Sequence, residues 1–266
     1  MARTPITDLA GIAARTQIVS LSKGAFRPTK RHKAETDAEN KRHGTTAARV
    51  SVRISDHPGI RELQTIHNNA YRTHIALTRP CVQDGFRLLP AGKQLQHAAE
   101  MATFKKAHDA VVKTILADYA NEKATAPDRL KTLYDPKMWP EEIKDLFRFE
   151  VRYLPCPTDG AWGEWLRESA RAAEDELRER VTKTLQRVVN RCKSEGALFE
   201  SVFTNLAELV EVLPDLNITA DPALTQVAAE AKTLAATDKD DLVGDENRSV
   251  RNQTAAEAAR ILSLLD

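Results

Sequence analysis

The chain has 266 residues, a net charge of +1, 42% apolar and 29% charged residues, and only 5% aromatics. That length buries a sizeable core without help from metals or disulfides, and so few aromatics favour helices over a β-sandwich or barrel. Three cysteines without CxxC spacing (Cys81, Cys156, Cys192) argue against a disulfide framework, no 18 apolar residues follow one another, and the N-terminus carries no secretion signal. A cytoplasmic protein without a membrane span is expected.

Thr4 to Arg15 reads as a short helix capped by Thr7 or Asp8, with Leu9, Ile12 and Ala13 on one side. Gln17 to Ser22 and Arg49 to Ile54 alternate apolar and polar residues, which marks two strands that are candidates to pair. Between them Lys23 to Ala48 has Gly24, Pro28 and Gly44 and almost no apolar side chain except Phe26. Such a segment predicts a mobile loop, too polar to fold on its own.

His57 to Leu77 carries Ile60, Leu63, Ile66, Ala70 and Tyr71 at helical spacing, with Ser55 or Asp56 as cap and Pro58 in the first turn. Asp84-Gly85 then marks a turn between short apolar runs. Lys93 to Glu122 predicts a second long helix, free to lie antiparallel to the first. Prolines at 127, 136, 140, 155 and 157 break up the next stretch, within which Phe147 to Tyr153 alternates as a strand.

Trp162 to Lys193 is the longest periodic element, with Trp165, Leu166, Ala170, Ala173, Leu177, Val181, Leu185, Val188, Val189 and Cys192 at steps of three and four. Gly196 offers a stop. Leu198 to Leu213, ended by Pro214, and Pro222 to Ala236, capped by Asp221, predict two more helices. An acidic linker, 238–247, precedes a C-terminal helix at 248–266. The expected organisation is an N-terminal helix (1–16), a mainly helical domain (17–236) with a basic loop at 23–49, the linker and the last helix. The fold class is mainly α with a minor β element, α+β, arranged around the helix at 162–193.

Sites for chemistry are sparse. Neither GxxxxGK[ST] nor GxGxxG occurs. His67 and His74 are seven apart and His97 and His108 eleven apart, neither being the three or four that helical metal ligands need, so solvent-edge or core histidines are expected. The cysteines lack any setting that lowers a thiol pKa, and the acidic runs read as solvated faces. No catalytic residue, metal or cofactor is implied, and a non-enzymatic protein is expected.

Charge is the exception. Up to Arg53 there are eleven Lys and Arg against four acids, a surplus of seven that leaves −6 for the remainder. Lys23, Phe26, Arg27, Lys30, Arg31, Lys33, Lys41, Arg42, Arg49 and Arg53 are the candidate nucleic-acid-binding residues, the cations for phosphates and Phe26 for stacking on a base. Arg148 and Arg152, on the charged face of the later strand, form a second, weaker surface.

Ile18-Val19-Ser20-Leu21-Ser22 before the basic stretch, Asp84 to Pro90 before a long helix, Phe147 to Pro157, Asn205-Leu206, Leu216-Asn217-Ile218 and Asp221-Pro222 together resemble a family of helical phage and prophage proteins. That family is a domain of unknown function found near MoxR-type AAA+ ATPases and von Willebrand-type domain proteins. The resemblance implies a phage early or replication-region protein working with an ATPase, and it transfers no functional residue. The expected function is therefore an accessory protein binding nucleic acid, single-stranded DNA foremost, in phage replication or recombination. The alternative is a helical assembly or adaptor protein that forms homo-oligomers or partners an AAA+ ATPase.

Overall fold

The structure, a computed structural model, describes residues 6–194, 200–237 and 247–265. It is mainly α with a minor β element. In chain order the elements are α1 (Leu9–Arg15), β1 (Thr16–Gly24), β2 (Thr29–Arg31), α2 (Lys33–His43), β3 (Ser51–Arg53), α3 (Pro58–Leu77), β4 (Arg87–Pro90), α4 (Gln94–Leu130), β5 (Arg148–Pro155), α5 (Gly160–Lys193), α6 (Glu200–Leu216), α7 (Pro222–Ala235) and α8 (Arg248–Ser263). The expected stop at Gly196 and all of the expected acidic linker, 238–247, except Asn247 lie outside the described residues.

The chain divides into two compact units. The first takes Met1–Ser20, Ala76–Leu95 and Tyr153–Asp266, the second Leu21–Ile75 and Gln96–Arg152. One three-stranded sheet has the order β4-β1-β5, and β2 and β3 form a separate two-stranded ribbon. The expected pairing of the strands at 17–22 and 49–54 is thus corrected. β1 takes β4 as its antiparallel neighbour, from Thr16 opposite Pro90 to Val19 opposite Arg87, while β3 takes β2.

Within the first unit α5 does what its periodicity predicts, burying Leu166, Ala170, Ala173, Leu177, Val181, Leu185, Val188, Val189 and Cys192. Its partners change along its length. The early turns share a cluster with Ile12 of α1, Ile18 of β1, Leu88 of β4 and Ile218. From Leu177 onward the stripe joins Phe203, Leu206, Leu213, Leu224, Val227, Ala258 and Ile261 of α6, α7 and α8 in one apolar core. A helix of 34 residues, about 50 Å long, is what allows both. Asp8 caps α1 by accepting from Gly11 N at 2.7 Å, and Asp221 caps α7 by accepting from Ala223 N at 2.8 Å. α6 was expected to end at Pro214 but continues to Leu216. That close to the C-terminus, proline forfeits a single intrahelical bond, and Asn217 N closes the end on Leu213 O at 3.0 Å.

In the second unit α3 and α4 run antiparallel, because partners fall in number on α4 as they rise toward and along α3: His57 meets Asp118, His67 meets His108 and His74 meets His97. Around them Phe26, Val52, Ile54, Leu63, Val111, Ile115, Tyr119, Trp139 and Ile143 form the core. Phe149 of β5 joins Ala70 and Met101 in a smaller cluster. α4 outruns its expected end at Glu122 by eight residues and takes in Pro127.

Candidate nucleic-acid interface

The segment expected to be a mobile loop is folded, and its bonds are polar. α2 begins at His32, whose Nδ1 accepts from Glu35 N at 3.1 Å, and ends at Gly44, whose left-handed φ of 57° suits the one residue without a Cβ. Thr36 and Asn40, one turn apart, clamp the returning chain. The Thr36 hydroxyl donates to His32 O at 2.7 Å and accepts from Val50 N at 3.0 Å, while Asn40 Oδ1 accepts from Ala48 N at 2.9 Å. Side-chain bonds of this kind substitute for the apolar stripe that the segment lacks.

The ribbon beside it pairs Thr29 with Arg53, Lys30 with Val52 and Arg31 with Ser51. Bonds from His32 N to Val50 O (2.9 Å) and from Ile54 N to Pro28 O (2.7 Å) lengthen the ladder by one residue at each end. Since side chains alternate along a strand, Thr29, Arg31, Ser51 and Arg53 share the exposed face and Lys30 and Val52 the inner one. Arg27 and Arg49 follow the same parity just beyond the strands and are exposed as well.

Ten residues were candidates, and the structure separates them. Arg27, Arg31, Lys33, Lys41, Arg42, Arg49 and Arg53 are exposed. Arg42 pairs with Glu39 at 2.8 Å and Arg53 Nε with Asp56 at 2.7 Å, whereas Arg27, Arg31, Lys33, Lys41 and Arg49 have no acidic partner among the described residues. Phe26 is a correction: only 3% exposed, it packs edge-on against Tyr119 at 6.0 Å, so it is a core residue and offers no face to a base. Lys30 lies half-buried with its ammonium 5.6 Å from the Phe26 ring. Lys23 is also drawn inward. It donates to His67 O at 3.0 Å, sits 4.5 Å over the Tyr71 ring, and has its pKa lowered by burial. On β5, Arg152 pairs with Glu150 at 3.1 Å.

No family model, curated protein or solved structure matches this chain.

Sequence spacing relates His67 to His74 and His97 to His108 within one helix each, whereas the fold pairs them across α3 and α4. His67 Nε2 meets His108 Nδ1 at 3.0 Å and His74 Nδ1 meets His97 Nε2 at 2.9 Å, all four rings buried between α3 and α4. In each pair one nitrogen must donate and the other accept. Burial lowers His67 and His97 to about 4 and also lowers His108. The signal was available in the spacings of seven on α3 and eleven on α4, but only an antiparallel register makes them meet.

Ser55, His57, Asp118 and Glu122 also converge, on a different task. His57 Nδ1 accepts from Gly59 N at 3.0 Å, which places the ring proton on Nε2, 3.0 Å from Asp118. The Ser55 hydroxyl donates to Glu122 at 2.6 Å and accepts from His57 N at 3.3 Å. The ring and the hydroxyl therefore share no proton, and the group fastens the start of α3 to α4. His57 replaces Ser55 and Asp56 as the expected cap. Among the described residues no group of three or more His, Cys, Asp or Glu could hold a metal ion, and no helix is long and apolar enough to cross a membrane.

Proposed function

We propose that this protein binds nucleic acid through the segment from Arg27 to Arg53 and acts as an accessory factor with no chemistry of its own. The observation that carries the reading is the outer face of the β2–β3 ribbon. Arg27, Arg31 and Arg49 are exposed there with no acidic partner among the described residues, and Lys33 and Lys41 lie on the adjoining helix. Guanidinium and ammonium groups held this way release counterions from a phosphate backbone, which gives affinity without sequence preference.

A gel shift over a salt series tests the proposal. Each phosphate contact contributes a slope of about −0.9 in log affinity against log salt, so reversing Arg31, Lys33 and Arg49 to glutamate should flatten the slope by roughly three contacts. A charge-reversed protein that binds as tightly as the parent chain overturns the reading. A salt-insensitive oligomer with no affinity for DNA or RNA supports the assembly role instead.

A further inference from the structure

Resting on that reading, we infer that the ligand is duplex DNA and that the β2–β3 ribbon enters its major groove with the Thr29, Arg31, Ser51, Arg53 face leading. Dimensions come first. Two strands about 4.8 Å apart, with side chains standing off one face, make a wedge of roughly 10 Å. The B-form major groove is about 12 Å wide and admits such a ribbon without distortion, whereas the minor groove, about 6 Å wide, would first have to be opened by bending the duplex.

The chemistry on the leading face is that of base edges. Arg31 has no acidic partner among the described residues and stands directly opposite Ser51, so a guanidinium and a hydroxyl lie side by side. A guanidinium matches the two acceptors of guanine, and a hydroxyl suits either a donor or an acceptor. Arg53 is less available, since its Nε is committed to Asp56 at 2.7 Å. Arg27 and Arg49 lie past the ribbon's ends and Lys33 opens α2, the positions from which cations reach the flanking phosphates and set the register.

The ribbon is also backed rigidly enough to act as a wedge. On its inner face Val52 is 5% exposed and packs in the same core as Phe26, Leu63 and Ile115, while Thr36 and Asn40 pin the returning strand. A single strand would be held by stacking, and the one aromatic of the segment, Phe26, is buried in that core. A-form RNA presents a major groove too deep and narrow for side chains to read.

The experiment is fluorescence anisotropy of the full chain with three probes of one sequence: a 20-base-pair DNA duplex, its single strand and the matching RNA duplex. The expected result is at least tenfold tighter binding to the DNA duplex than to either other probe, with Arg31→Ala costing roughly tenfold on that duplex. A duplex whose major groove is filled by glucosylated hydroxymethylcytosine should bind at least tenfold more weakly than the plain one. Equal or tighter binding to the single strand or the RNA duplex, or indifference to the glucosyl groups, overturns groove entry while leaving nucleic-acid binding standing. If none of the probes binds, the underlying reading fails along with it.

Discussion

The imidazoles of His67 and His108 lie nearly parallel, with ring centroids 5.1 Å apart, and are joined nitrogen to nitrogen at 3.0 Å. The groups facing His67 are His108 across the helix pair, the Lys23 ammonium bonded to its own carbonyl, and the Phe149 ring, none of which welcomes a second proton. Desolvation first, then the charges of His108 and Lys23, hold His67 at about 4, and desolvation alone does the same to His97. An unfolded histidine titrates near 6.5. The unfolded chain therefore takes up protons between 6.5 and 4 that the folded chain refuses. The stability these histidines contribute is complete above about pH 6.5 and is lost as the pH falls toward 4, on the order of 3 kcal/mol for each. Hydrogen exchange of the α3 and α4 amides at pH 7, 6 and 5 should show it, and His67→Gln should remove about one proton from the slope.

Thr36 is fully buried and bonds to both His32 O and Val50 N. Thr36→Val keeps the shape and removes the hydroxyl, leaving Val50 N without that acceptor, at a cost of about 1 to 3 kcal/mol. The effect should be local, with faster amide exchange in α2 and at Val50 and little change in α5. If groove entry is correct, the same variant weakens duplex binding although it removes no charge.

Phe26 separates a stacking role from a packing one. Phe26→Ala should lose about 3 to 5 kcal/mol in urea unfolding, the usual cost of emptying a buried aromatic site. Phe26→Leu, which retains most of the volume, should cost much less and leave affinity for any nucleic acid within twofold of the parent.

Arg79 is fully buried, with Nη1 on Glu176 at 3.2 Å, Nη2 on Ala76 O at 3.2 Å and Nε without a partner among the described residues. Burial, opposed in part by Glu176, brings its pKa down to about 10. Glu176→Gln strands the guanidinium and should destabilise by about 1 to 3 kcal/mol, held below the usual figure for a buried pair because the Glu176 side chain is 37% exposed. Arg79→Met removes both the charge and the unpaired Nε and should be neutral or stabilising. Thermal melts should show a lowered midpoint for Glu176→Gln and an unchanged or raised one for Arg79→Met.

The apolar periods were legible. The stripe on α5 and the alternation around Phe149 could be read from the chain because burial imposes them residue by residue, and Asp221 could be read as a cap from its carboxylate just before Pro222, while the α1 cap was narrowed to Thr7 or Asp8. What escaped was structure held by polar bonds between residues far apart in type and place. α2 has no apolar stripe, so nothing in its pattern marks a helix, and Thr36 and Asn40 look like loop residues until Val50 and Ala48 are beside them. Strand partners escaped for a related reason: alternation assigns faces and leaves the neighbour open, so β1 and β3 looked like mates. Phe26 was misjudged because a single aromatic in a polar run has no period to place it, and the candidate surface was correspondingly drawn too wide around Lys23, Phe26 and Lys30.

The division of the chain also bears on how it is made. The first unit is assembled from three separate lengths of sequence and the second from two, so the backbone passes between them four times, at 20/21, 75/76, 95/96 and 152/153. No single cut yields either unit whole. During synthesis neither can be completed until residues beyond 152 have left the ribosome for the first and those up to 152 for the second. Contacts that distant in sequence slow folding, because the intervening chain must be closed before they form. Nascent chains released before about residue 150 should be protease-sensitive throughout, and genetic dissection of this protein is better done by point substitution than by deletion.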